Sequence, residues 1–164
     1  MDKVFLQNAV FLPQVSELLM EGKTVTLRAR GVSMRPFIEH DRDDLVFAYR
    51  TDIKVGDVVL AEVSKGHFVC HRIEQIKGIS VTLRGDGNVR GTESCTLADI
   101  RGKLIKVNRL GKVYDLETDR FWHYYSIVWP KLLPVRRWLL AFNKVFFLHQ
   151  MPERIRKYFR KQKQ

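Results

Sequence analysis

Ser33 is the residue of this sequence that is best placed for covalent chemistry. It lies in a short motif, Gly31 to Pro36, directly after a run with the alternation of a β-strand. Gly31 permits a sharp backbone turn and Pro36 stiffens the exit, so the hydroxyl between them can be held exposed at a rim. Because a serine hydroxyl is a weak nucleophile near neutral pH, Ser33 needs a base within hydrogen-bond reach.

His71 is the candidate base. It lies in an apolar run typical of a strand, and a neutral imidazole accepts a proton near neutral pH without the deep burial that a lysine needs. Cys70 should face the opposite side of that strand, so it is not our candidate partner. His67 and His71 have no third ligand at a convincing spacing, so we expect no metal and no other cofactor. Cys70 and Cys95 are too few for a disulfide framework.

Four short motifs occur in the order Gly31 to Pro36, Gly56 to Val59, His71 to Ile73 and Gly85 to Asn88. Together they resemble the catalytic boxes of the signal peptidase I family and of its relatives, the self-cleaving SOS-repressor-type peptidases. The resemblance covers about residues 24 to 107. It implies a serine endopeptidase that cleaves a protein or leader-peptide substrate, and a coiled antiparallel β-sheet for the peptidase domain.

The resemblance also implies roles for particular residues. His71 follows Ser33 at the family's interval, and a histidine base resembles the endoplasmic-reticulum and archaeal type rather than the bacterial Ser–Lys type. Asp86 matches the acid of the histidine-type Gly-Asp-Asn-Asn box and is the preferred carboxylate to orient His71, with Glu93 as the alternative. Gly31 stands where many bacterial members carry a serine donor to the oxyanion. A backbone donor such as the Ser33 N–H is expected there instead.

The elements that must position these residues are mostly strands. The spacing of apolar residues after Pro13, ending at Gly22, predicts a short helix with Pro13 in its first turn. Alternating or β-rich runs then predict a mainly β, antiparallel fold with glycines at the turns. The predicted strands are Thr24 to Arg30, Asp44 to Tyr49, Asp57 to Val63, Phe68 to Ile76, Ile79 to Leu83 and Ile100 to Val107.

The C-terminal segment is helical, aromatic and basic in pattern. Pro130, Pro134 and Pro152 should divide it into short helices. Residues 131–164 hold ten Lys/Arg and a single acid, so they carry +9 of the chain's net charge of +11. This composition favours association with an anionic membrane surface. Packing of the apolar face on the β domain is the second interpretation, and nucleic acid is the least favoured partner.

The chain is therefore divided into an N-terminal helical segment (1–22), a β-rich peptidase domain (23–117) and a C-terminal segment (118–164). The N-terminal run is neither a cleaved signal nor a membrane span by its sequence. We expect a cytoplasmic location, either free or peripheral to the inner face of the membrane. The alternative function is a catalytically inactive, peptidase-like binding module at the membrane surface, which would not need both Ser33 and His71.

Overall fold

The chain folds into a mainly β structure with helices on either side of it in sequence. The computed structural model describes the backbone of residues 8–150 and the side chains of residues 11–142. The helices are α1 (Asn8–Met20), α2 (Arg120–Lys131) and α3 (Leu133–Gln150). The strands are β1 (Val25–Arg28), β2 (Asp43–Ala48), β3 (Val58–Ser64), β4 (His67–Lys77), β5 (Ser80–Arg84), β6 (Glu93–Thr96), β7 (Ile100–Arg109) and β8 (Lys112–Asp115). The predicted mainly β class is confirmed.

The strands form one antiparallel sheet in the order β1-β2-β7-β3-β4-β5-β6, and β8 pairs with β7. Strands β3 to β6 follow each other as a meander, and β7 returns to lie between β2 and β3. The register shifts at several points, including one between Ile73 and Gln75 on β4. Such irregularities bend a strand and increase its twist.

Two hydrophobic cores lie on this sheet. The larger one joins α1 and α2 to the strands, and its buried members include Val15, Leu19, Met34, Phe47, Leu104, Trp122, Tyr125 and Trp129. The smaller one contains Val59, Ala61, Ile73, Val81, Leu83 and Ile100. Because alternate residues of a strand face opposite sides, β4 contributes Phe68 and Cys70 to the first core and Val69 and Ile73 to the second.

The first helix differs from its prediction. It begins at Asn8, so Pro13 lies inside α1 instead of in its first turn. Proline removes one backbone donor within a helix. Burial of Val15 and Leu19 against the sheet offsets this loss, because tertiary packing supplies most of the stability of a protein helix.

The C-terminal helices follow the predicted division only in part. The break falls between Lys131 and Leu133, beside Pro130 and Pro134, as predicted, but α3 has 18 residues and is not short. Pro152 lies outside the described residues. None of the described helices is long and apolar enough to cross a membrane. The first of these helices, α2, contributes Trp122, Tyr125 and Trp129 to the larger core and so packs on the β domain.

Candidate active site

The Ser33 loop leaves the end of β1 and turns back toward β2. Gly31 has a φ of 86°, in the left-handed region that favours glycine, and its N–H donates to His40 Nδ1 at 3.1 Å. The Arg35 N–H donates to the carbonyl of Val32, which closes a turn around Ser33. The role of His40 in holding Gly31 was not predicted, because no sequence pattern signals a hydrogen bond between these two residues, which are nine positions apart.

Two glycines of the motif at Gly85 to Asn88 lie directly against this loop. The Gly87 N–H donates to the Ser33 carbonyl at 2.7 Å. A Cβ on Gly85 would lie 2.5 Å from that same carbonyl oxygen and 3.1 Å from His71 Nε2, and a Cβ on Gly87 would lie 2.8 Å from the carbonyl of Val32. A side chain fits at neither position, so glycine is what allows the first, third and fourth motifs to meet.

His71 lies on β4 with its ring held in one orientation. Its Nδ1 is 2.9 Å from Glu93 Oε2, and the ring is buried. A carboxylate at Nδ1 favours the tautomer with its proton there, which leaves the Nε2 lone pair free to accept another proton. That Nε2 is the atom beside Gly85 and the Ser33 carbonyl.

The Ser33 hydroxyl itself is uncommitted. Among the described residues it has no hydrogen-bond partner, so rotation about χ1 is not opposed by an existing bond. Ser33 and His71 line the same groove. The structure therefore brings the predicted nucleophile and the predicted base to one place.

The preferred assignment of Asp86 as the carboxylate that orients His71 is wrong. Its two oxygens are 2.8 and 2.7 Å from Arg72 Nε and Nη2, and one of them also accepts from the Tyr125 hydroxyl at 2.8 Å. Arg72 is buried, and a buried guanidinium without a counter-charge is very costly. Asp86 therefore pairs with Arg72, and the alternative, Glu93, is the carboxylate on His71.

The pair formed by Arg72 and Asp86 connects the site to the rest of the molecule. Arg72 Nη1 donates to the carbonyl of Gly56 at 2.6 Å, which links the second motif to the third and fourth. The Trp129 indole N–H donates to the Asp86 carbonyl at 3.0 Å. Helix α2 thus holds the loop Gly85 to Asn88, here called the glycine loop, at two points of Asp86. Tyr125 bonds to the side chain of Asp86, and Trp129 bonds to its backbone carbonyl.

Electrostatics favour the charge states that this network needs. Although burial opposes it, the charge of Asp86 and its hydrogen bonds hold the pKa of Arg72 above its ordinary value. Burial, and then the charge of Asp86, raise the pKa of Tyr125, so its hydroxyl stays protonated and can donate. Sequence reasoning missed the roles of Tyr125 and Trp129; the only signal was their place in an aromatic run, which is equally typical of plain core packing.

Cys70 is half-buried and lines the same groove as Ser33 and His71. Burial raises the pKa of its thiol to about 12, so the thiolate is scarce at neutral pH and Cys70 is disfavoured as a nucleophile. This leaves Ser33 as the nucleophilic group beside His71.

The groove at Ser33 and His71 is lined by both apolar and charged residues. Its half-buried apolar residues include Leu27 and Phe68, from β1 and β4. Its charged residues include Arg28 and Asp44, which pair at 2.8 Å. The groove therefore places partly exposed apolar side chains in the same depression as Ser33 and His71.

A donor for a developing oxyanion lies beside the nucleophile. Within the described part of the chain, the Ser33 N–H has no acceptor, whereas the Gly31 N–H is taken by His40. A free backbone donor next to the reacting atom is suited to stabilise negative charge on a carbonyl oxygen.

A scan against protein-family models gives no match for this chain, and a search of the curated proteins finds no significantly similar sequence.

Proposed function

We propose that this protein is a serine endopeptidase of the signal peptidase-like type, with Ser33 as nucleophile, His71 as general base and Glu93 as the carboxylate that orients the base. One observation carries the proposal. His71 is bonded to Glu93 through Nδ1, while its Nε2 lies beside the Ser33 loop. This is the orientation in which an imidazole can take a proton from a serine.

The reaction follows from these positions. Ser33 Oγ attacks the carbonyl carbon of the substrate as its proton passes to His71 Nε2, and the Ser33 N–H donates to the resulting oxyanion. The intermediate collapses when Nε2 gives its proton to the leaving amine, which leaves an ester on Ser33. Water then loses a proton to Nε2 and attacks this ester. The second intermediate collapses as its bond to Ser33 Oγ breaks and Nε2 returns the proton to that oxygen, which releases a carboxylic acid and restores the hydroxyl.

The substrate class follows from the groove. A peptide chain needs an extended, accessible surface, and the half-buried Leu27 and Phe68 of the groove suit apolar side chains of a substrate. Protein or leader-peptide substrates with such residues are therefore proposed, and processing of signal-type peptides is the family function that fits them.

The proposal is tested without a known substrate by exposing the full chain to a fluorophosphonate and to a peptide library read by mass spectrometry. Wild type should be labelled at Ser33 and should cleave a subset of the peptides. Ser33→Ala should abolish both activities, whereas Ser94→Ala, an exposed serine beside Glu93, should change neither. Absence of labelling and of cleavage by folded wild type would favour the binding-module alternative.

A further inference from the structure

Helix α3 presents an apolar stripe to solvent. Val135, Trp138, Leu139 and Phe142 follow the spacing of one helix face, and all four are exposed. Trp138 and Phe142 are 74% and 79% exposed. Such a stripe on an amphipathic helix usually faces a core, and large aromatic side chains in solvent mark a contact surface.

The stripe is not the face by which α3 packs on the β domain. A different face of α3 makes that contact: Leu140 packs on the larger core, as does Leu132 just before the helix, and Arg136 is buried with Nη2 donating to the carbonyl of Trp129 at 2.8 Å. The described residues therefore attach α3 through this face and leave the stripe exposed.

The net charge of the C-terminal segment limits which class of partner can bind the stripe. Lys131, the last residue of α2, and Arg137, on the face of α3 opposite the stripe, are exposed, and residues 131–164 carry +9 in total by sequence. A second copy would bring the same charge against itself, and like charges oppose such a contact. A nucleic acid would match the charge, but it would leave an aliphatic and aromatic stripe without an apolar partner.

We propose that α3 docks this peptidase-like domain on an anionic bilayer, with Trp138 and Phe142 at headgroup depth and the net positive charge of residues 131–164 attracting the anionic headgroups. Docking of this kind needs apolar contact and charge together. It does not depend on the proposed peptidase activity, so each proposal can fail without the other.

The test uses the full chain with vesicles of phosphatidylcholine alone or mixed with phosphatidylglycerol. Deletion after Leu116 is unsuitable because it would remove the α2 side chains of the larger core. The paired variant Trp138→Ser and Phe142→Ser should weaken binding to the anionic vesicles by about tenfold or more. Ile79→Ser with Leu110→Ser is the matched control, since these turn residues are 73% and 85% exposed, and it should bind like wild type.

A charge variant and a fluorescence signal complete the test. Lys131→Gln with Arg137→Gln, and separately salt of about 0.5 M, should each weaken binding to anionic vesicles. Brominated lipid should quench Trp138, which is the exposed tryptophan, since Trp122 and Trp129 are buried. Equal binding to neutral and anionic vesicles, or equal binding by the paired variant and wild type, would overturn the proposal. So would self-association, or nucleic-acid binding without vesicle binding, that depends on Trp138.

Discussion

Replacement of each candidate carboxylate by its amide should separate the role of Glu93 from that of Asp86. Glu93→Gln should slow catalysis and leave stability nearly unchanged, whereas Asp86→Asn should chiefly destabilise the fold. The structural reason is that, among the described residues, the Glu93 carboxylate bonds to His71 alone, at 2.9 Å, while Asp86 is buried in a pair with Arg72.

The size of the catalytic effect follows from the exposure of the two partners. The His71 side chain is 6% exposed and that of Glu93 is 32% exposed, so water partly screens their interaction. A hydrogen bond to a charged group contributes about 1.5–3 kcal/mol, and the lower end corresponds to about tenfold in rate. A glutamine amide can also donate to Nδ1 and place the proton on Nε2, where the base must be free. We therefore expect kcat/KM to fall between about tenfold and about 10³-fold.

The effect on stability has the opposite order. Removal of one partner from a buried ion pair costs about 3–5 kcal/mol. For a chain of this size that corresponds to a fall in Tm of roughly 6–20 °C for Asp86→Asn. Glu93→Gln should shift Tm by less than about 2 °C, since the group is partly exposed.

The assay is kcat/KM on a peptide that wild type cleaves, measured below the Tm of both variants, together with thermal unfolding followed by circular dichroism. If folded Asp86→Asn loses the activity and Glu93→Gln retains it, Glu93 is not the orienting carboxylate and the assignment drawn from the geometry is wrong.

Three further outcomes are expected. Gly85→Ala places a Cβ 2.5 Å from the Ser33 carbonyl, so it should cost about 1–3 kcal/mol of stability and at least about 10²-fold in kcat/KM, and normal kinetics would contradict the contact. Burial raises the pKa of Cys70 to about 12 and that of Cys95 to about 11, so at about pH 8 maleimide should modify the buried Cys95 only after urea unfolds the chain, and should modify Cys70, which lines the groove, far more slowly than a free thiol, as read by intact mass. Burial also raises the pKa of Tyr125, so urea stability should fall as pH rises above about 10, and Tyr125→Phe should flatten this decline; parallel curves would argue against it.

The strands that the sequence predicted contain several buried residues, in alternation or in a continuous run. On β5, Val81 and Leu83 are buried between exposed or half-buried neighbours, whereas β3 begins with four buried residues in a row. Strand β6 was missed because it is short and Cys95 is its only buried apolar residue. Strand β8 follows Gly111, a turn glycine with a φ of 82°, but it was missed because it has four residues and none of them is buried.

The site could be predicted as far as residue type and order allow. Ser33 and His71 were predicted because a nucleophile and a base need a serine and a histidine at such positions. The close contacts of Gly85 and Gly87 with the Ser33 loop explain why the fourth motif has glycine there. The orienting carboxylate could not be chosen, because the choice depends on which side of the sheet each acid faces. His71 and Arg72 are adjacent on β4 and bind different carboxylates: His71 contacts Glu93, and Arg72 pairs with Asp86.

Helix α2, which follows the sheet, helps to hold the loops of the candidate site in place. The Ser33 loop is held by the glycine loop, and the glycine loop is held in turn by Tyr125 and Trp129 on α2. Loss of α2 would leave the buried carboxylate of Asp86 with one partner fewer and its backbone carbonyl without a donor, next to the groove that must position a substrate. The four motifs end before residue 89, but the part of the chain that can hold them in a working arrangement extends at least to Lys131.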